Sequence, residues 1–223
     1  LQGVRVGVGV DLVPADVQLS QDIFFGDVVG SARLGGNAFG VGARVGVQWT
    51  PCPLPELSVG AMYRSPISLD FEGDGDFDVA DPFRSQLPPD GPIATSVTLP
   101  QSLSVGAAYR PKPGLELEVG AVWMDWSSFD QLDITLADDS MITSPRGYQD
   151  AVAIRVGGAY QLPGRPLTVR AGYMYDPTPI PADYLTASLP DIDRHDVAIG
   201  ASYTHQRMFV DLGLLWVLPG SRS

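Results

Sequence analysis

Five arginines, Arg5, Arg44, Arg64, Arg155 and Arg170, sit in apolar stretches at every-other-residue spacing, on the same alternate positions as glycine. A guanidinium pairs bidentately with a carboxylate. Arg44, Arg64, Arg155 and Arg170 are therefore candidates for holding an anionic head group. The competing expectation is a salt-bridge network with Glu116, Glu118 and Asp176, since charges removed from water mostly exist in pairs. Met62, Met124 and Met174 fall on the same alternate positions, where soft flexible side chains line an adaptable apolar tunnel or simply pack. Phe129 joins them as an apolar ligand-binding candidate.

Other chemistry is weaker. Asp74, Asp76 and Asp78 alternate like calcium-loop ligands, but Val79 occupies the required glycine position and Ser85 the terminal glutamate, so a solvated acidic loop is expected and no metal. His195 lies among Asp191, Asp193 and Asp196, a setting shared with acid–histidine hydrolases; beside acids an ion pair is the simpler expectation. His205 falls in a separate short turn. Gly40, Gly42 and Gly46 do not have dinucleotide-binding spacing and no helix follows them. No catalytic residue and no cofactor is expected.

The elements that must position these residues are strands. From Leu103 to Trp123 the chain reads as a hairpin: Leu103, Val105, Ala107 and Tyr109, then the turn Pro111 to Gly114, then Leu115, Leu117, Val119, Ala121 and Trp123. Alternation with Ser, Gly and Glu makes one face apolar and the other small or charged. The unit recurs in nine strands: Val4 to Leu19, Phe39 to Trp49, Leu57 towards Phe71, the hairpin pair with its second strand reaching Leu136, Val152 to Tyr160, Leu167 to Asp176, Asp196 to Tyr203, and Val210 to Trp216. Short turns at Pro51 to Pro55, Pro111 to Gly114, Pro163 to Pro166 and His205 to Arg207 alternate with long loops, at Ser20 to Gly35, Glu72 to Ile93, Ala137 to Gln149 and Pro177 to Ile192.

No run of 18 apolar residues exists, and the mean hydropathy is only +0.07. Barrel strands need just about 9–11 residues each and alternate, so both facts fit a membrane barrel. A net charge of −12 disfavours nucleic acid. Cys52 is the single cysteine, so no intrachain disulfide is expected. Leu1 carries no leader features, which suggests that the natural N-terminus lies upstream.

Alternating short and long connections are those of an outer-membrane barrel with short periplasmic turns. Trp49, Tyr109, Tyr160 and Tyr203 then form the periplasmic girdle; Trp123, Tyr175 and Trp216 lie at the outer one. A lipid-facing arginine at mid-membrane costs about 2–4 kcal/mol, so the arginine face turns to a lumen. A soluble sandwich explains neither girdles nor loop alternation.

Ordered landmarks then carry a resemblance: Tyr63-Arg64-Ser65 with Phe71-Glu72-Gly73, Leu99-Pro100, Asp125-Trp126-Ser127-Ser128-Phe129, Tyr148-Gln149-Asp150-Ala151, Asp176-Pro177-Thr178-Pro179-Ile180-Pro181, and Leu189-Pro190-Asp191-Ile192-Asp193-Arg194. In order and spacing they resemble the FadL/TodX family of outer-membrane long-chain fatty acid and aromatic hydrocarbon transporters. The resemblance implies a 14-stranded antiparallel up-and-down transmembrane β-barrel plugged by an N-terminal hatch. Residues 1–223 would then be one barrel domain without hatch, early strands or last strand. It also implies passive uptake of hydrophobic compounds, long-chain fatty acids first, by a monomer in the outer membrane of a Gram-negative bacterium. Gln149 stands where a lysine resembling a carboxylate partner is found in a well-known member, which makes an uncharged hydrocarbon the alternative ligand. From other classes, a barrel hydrolase centred on His195 and a structural or adhesive barrel are the alternatives.

Overall fold

Alternating apolar residues, punctuated by proline and glycine, fold as one continuous antiparallel sheet in a computed structural model that describes residues 3–185, 191–206 and 208–220. The strands are β1 (Val4–Phe25), β2 (Val28–Trp49), β3 (Leu57–Arg64), β4 (Ile67–Asp78), β5 (Gly91–Leu99), β6 (Ser102–Lys112), β7 (Leu115–Met124), β8 (Gln131–Thr135), β9 (Met141–Pro145), β10 (Ala151–Gln161), β11 (Leu167–Asp176), β12 (Arg194–His205) and β13 (Met208–Pro219). Neighbours at the turn end follow chain order, β1, β2, β3, β6, β7, β10, β11, β12 and β13, so nine strands are present in the expected order. The second hairpin strand does not run on to Leu136, however: β7 ends at Met124, a single turn follows at Trp126–Ser128, and the chain resumes as β8. Leu189 and Pro190 of the last landmark, and Arg207 of the last turn, lie outside the described residues. No helix is long and apolar enough to cross a membrane.

Three of the expected loops are corrected. Residues 20 to 35 are not a loop: β1 and β2 stay paired over 22 residues each and reverse at Gly26 and Asp27. Residues 72 to 93 are not a plain loop: β4 runs to Asp78, a short helix spans Asp81–Arg84 and β5 starts at Gly91. Residues 137 to 149 contain β9, hairpinned onto β8. The fourth, 177 to 192, carries only a single turn at Ala182–Tyr184 among its described residues. These excursions were missed because their strands carry Asp, Gly and Pro, the residues that mark loops.

The additional strands form a canopy above the arginine-bearing sheet. β4 pairs with the upper half of β2, β5 with β4, β8 with β5, and β9 with β8. Between sheet and canopy the faces exchange character. On β1 the outward residues run Val4, Val6, Val8, Val10, Leu12 and then Asp16, Gln18, Ser20 and Asp22, while the inward ones run Arg5, Gly7, Gly9, Asp11 and then Val13, Ala15, Val17 and Leu19. β2 does the same in register, passing from Phe39 outward to Asn37 and Arg33, and from Gly40 inward to Ala38 and Leu34.

β3 and β4 reach the same result differently. Arg44 pairs with Arg64, but Asn37 pairs with Glu72, so one extra residue is inserted opposite β2 between them. That bulge lies at Ser65 and Pro66, where Ser65 exchanges two hydrogen bonds with Ala43. Its effect is to turn Ile67, Leu69 and Phe71 inward, although they continue the odd-numbered series that faces outward in β3. Ile67 and Leu69 are 4% exposed and form a small core with Ala38, flanked by Val13, Ala15 and Phe71. Asp70, Glu72, Asp74, Asp76 and Asp78 are left on the outside, solvated as expected but on a strand.

The canopy depends on backbone contact at Gly73, which opposes Gly36. A Cβ there would overlap the carbonyl oxygen of Gly35. Gly73→Val is expected to destabilise the canopy by about 1–3 kcal/mol, as overpacking does. Limited proteolysis should cut faster between residues 66 and 100, with the heat-dependent gel migration of the barrel unchanged.

Candidate ligand-binding site

The inward face of the lower sheet borders a concavity of 1040 Å³ lined by Arg5, Arg44, Met62, Glu118 and Arg155 among glycines and alanines. Small residues on successive strands leave its floor close to the backbone. Most of the inward charges are paired, but not with the expected partners. Arg44 and Arg64 both turn to Asp11. Arg170 bonds Ser202 and lies 3.7 Å from Asp211. Glu116 takes Arg110 at 2.5 Å, and Asp176 takes Arg194 at 2.5 Å. Among the described residues none of the expected pairings with Glu116, Glu118 or Asp176 forms an ion pair; Arg155 and Glu118 only share the lining of the concavity. Cross-strand partners depend on register between strands distant in sequence, and that register brings Asp11 of β1 to both arginines.

A second, smaller site lies at the upper end of β7, β10 and β11. It is a pocket of 320 Å³ lined by Met124, Trp126, Tyr148, Ile180, Asp176 and Arg194. Trp126 meets Tyr148 edge-on at 6.1 Å, and Phe129 meets the same ring at 5.3 Å. Gly147 has φ +55°, and a Cβ there would overlap the Tyr184 ring, so glycine allows that ring to close over the segment before Tyr148. Gln149 donates its backbone N–H to Pro179, tying the Pro177 to Ile180 segment across the pocket.

The candidates are thus divided. Arg44 and Arg64 stand directly opposite each other on β2 and β3. Arg155 and Arg170 lie further round the sheet, Met62 faces the lower concavity, and Met124 lines the upper pocket. Met174 pairs with Arg155 and Asp196 between the two sites. Phe129 supports the pocket wall through Tyr148 without lining it. Trp126 and Tyr148 line the upper pocket, and the sequence singles them out only as members of the landmark motifs.

Those motifs occupy the level at which strands break. A hydrogen-bonded belt joins them on the outer surface. Tyr63 donates to Gln101 at 2.7 Å, Gln101 to Asp125 at 2.7 Å, and Ser127 to Asp125 at 2.9 Å. Asp150 then accepts the Ser127 backbone N–H at 3.2 Å and the Trp123 indole N–H at 3.1 Å. The Tyr63 hydroxyl and the Trp123 indole are thereby satisfied, and the turn Trp126–Ser128 is fixed from behind. His195 is not among the acids expected around it: its Nδ1 lies 2.7 Å from the Tyr173 hydroxyl and its ring packs against Tyr173 and Tyr175. Asp193 is engaged by Tyr175 and Thr178 instead. Among the described residues no acidic or histidine group is arranged to hold a metal.

Asp150→Ala removes two hydrogen bonds of about 1 kcal/mol each and should release the Trp126–Tyr148 pair, read as loss of near-UV circular dichroism. Trp123→Phe removes only one and should leave that signal in place. Hydrogen bonds from Gln101 and Ser127 hold the Asp125 carboxyl below its usual value of 3.8. A depressed carboxyl stabilises the fold above its unfolded pKa and loses this as pH falls through the folded one. The aromatic signal is therefore expected to stay flat from pH 7 to about 4 and to fall only below that, in an acid titration.

Comparison with known proteins places this architecture. The Long-chain fatty acid transport protein of Escherichia coli K12 is 28% identical over 198 residues, covering 83% of this chain and 43% of that protein. The Salmonella typhi protein of the same name is 28% identical over 197 residues, covering 83% and 44%. The chain thus spans less than half the length of these relatives. Among solved structures, a Pseudomonas aeruginosa FadL homologue superposes with a TM-score of 0.83 at 21% identity, covering 98% of this chain and 57% of that one. The Ralstonia pickettii toluene transporter TbuX gives 0.70 at 18% identity, covering 98% and 59%. Residues 2–218 match the sequence profile of the family described as Outer membrane protein transport protein (OMPP1/FadL/TodX). The chain belongs to this family of outer-membrane transport proteins, whose members are channels and not enzymes.

Proposed function

We propose that this chain forms part of a single barrel domain, monomeric in the outer membrane of a Gram-negative bacterium. In this reading it passes hydrophobic compounds inward by binding and diffusion, with long-chain fatty acids as the first ligand. The exchange of faces carries the proposal. Above the level where the strands break, the sheet's inner wall is apolar, with Val13, Val17, Leu19, Ile67, Leu69 and Phe71. Below, it is polar and lined with arginine. An apolar molecule leaving water meets the greasy wall first, and an anionic head group meets guanidinium beneath it. The names of the curated relatives support the fatty acid.

A second reading, an uncharged aromatic hydrocarbon, is favoured by the upper pocket. Its one cation, Arg194, is already neutralised by Asp176, and Asp191 adds a further negative charge. Gln149 supplies no charge nearby. An anion would be repelled there, whereas Trp126 and Tyr148 suit an aromatic ring. The hydrolase and adhesion alternatives receive no support: the family is one of transporters, and His195 is held between two tyrosines.

The test is uptake. The complete protein, expressed in cells deleted for their own fatty-acid barrel, is expected to restore entry of labelled oleate by roughly tenfold or more. Entry of toluene without oleate would select the second reading; entry of neither, with the barrel folded in the outer membrane, would reject both.

A further inference from the structure

Arg44 and Arg64 are directly opposed cross-strand partners on the inward face. Like charges in this position destabilise a sheet. Only one carboxylate serves both. Asp11 bonds Arg44, whereas Arg64 Nε lies 3.5 Å from Asp11 Oδ2 and makes no hydrogen bond to it. Among the described residues the Arg64 side chain donates no hydrogen bond, so its guanidinium fork is available beside the 3.5 Å ion pair. Its side chain is 47% exposed and that of Arg44 44%, against 11% for Asp11. The cluster carries one uncompensated positive charge in a chain of net charge −12.

Its surroundings define what would complete it. Immediately above Asp11 on the same face of β1 come Val13, Ala15, Val17 and Leu19, the last still 53% exposed. Immediately beyond Arg64, the bulge turns Phe71 to that side as well. At about 3.3 Å per residue the wall from Asp11 to Leu19 extends roughly 26 Å. A cationic fork at the foot of a long apolar strip is complementary to one class of molecule, an unbranched monocarboxylate with a long apolar tail.

We propose that Arg64, with Arg44, is the carboxylate subsite for such an anionic amphiphile, its tail lying along the inner face of β1 towards Leu19. This rests on the uptake reading above and adds where the charge is held. Asp11 tunes the site: it keeps Arg44 partly neutralised and leaves Arg64 to the ligand. The sharing of one aspartate by two opposed arginines is what distinguishes this cluster from the paired charges elsewhere on the face. Arg170 and Arg110 each have their own acid, Arg5 donates to Gln48 opposite it, and Arg155 stands opposite Gly120 and no second arginine.

The test compares equilibrium binding of oleate and of oleyl alcohol, which share a tail, to the purified complete protein at pH 8. Wild type is expected to bind oleate at least tenfold more tightly, the factor a charge-assisted hydrogen bond corresponds to. Arg64→Met should abolish that preference and leave the alcohol unchanged. Asp11→Asn, which frees the second arginine, should tighten oleate several-fold, whereas a purely structural triad would lose stability and gain no affinity. Equal binding of acid and alcohol by wild type, unchanged oleate affinity in Arg64→Met, or no gain in Asp11→Asn each overturns the subsite while leaving hydrophobic uptake intact. Failure of folded wild type to bind either ligand overturns the uptake reading itself.

Discussion

A strand that leaves hydrocarbon and continues into water must exchange its faces, because the side that was wetted by lipid is now wetted by solvent. Every strand that extends upward in this protein obeys that constraint, and two solutions coexist. In β1 and β2 the exchange is written in composition: the apolar positions shift from even to odd along β1 while the ladder runs on without a break. In β3–β4 and β5–β6 it is made by geometry. The apolar residues stay on odd positions throughout, and the backbone turns over at Ser65-Pro66 and at Pro100-Gln101. Hydrophobic burial drives the exchange in both cases; Ile67 and Leu69 reach 4% exposure only because of it.

The difference between the two solutions explains what could be read from sequence. Nine strands, their order and the outward apolar face follow from period-two alternation, and the aromatic girdle falls where the chain turns. The change in β1 is also present in the sequence, since Leu12 and Val13 are adjacent apolar residues at which the alternation changes phase. In β3–β4 the apolar residues keep to odd positions on both sides of Ser65, so the alternation places Phe71 on the lipid side, and only Ser65 and Pro66 mark the change. Prolines 66 and 100 stand on the even, polar positions and are exceptional by their missing N–H. The acidic canopy strands were hidden because Asp and Gly alternate with few large apolar residues, a composition shared with loops.

The candidate site was legible in its residue types and not in its pairings. Arginine on the glycine face indicated a polar interior, but which acid meets which arginine depends on register between strands distant in sequence. Asp11 and Arg64 are separated by more than fifty residues and meet only because both flank β2. The upper pocket shows the complementary case. Its walls come from the landmark motifs, and their polar members Asp125 and Asp150, with Gln101 beside them, face away from the pocket and hold its aromatic members in place. A motif can therefore mark a site through residues that never touch a ligand.

The β1–β2 hairpin sets the scale of the whole assembly. Twenty-two residues per strand amount to roughly 70 Å of backbone at about 3.3 Å each, or roughly 55 Å along the membrane normal at a strand tilt of about 40°. Hydrocarbon accounts for about 25 Å of this. The remainder stands above the bilayer like a mast, its tip turning in two residues, one apolar side and one acidic side carried well past the lipid head groups. The hairpin thus reaches well past the level at which β3 and β7 break, and carries the inner apolar wall of the sheet with it.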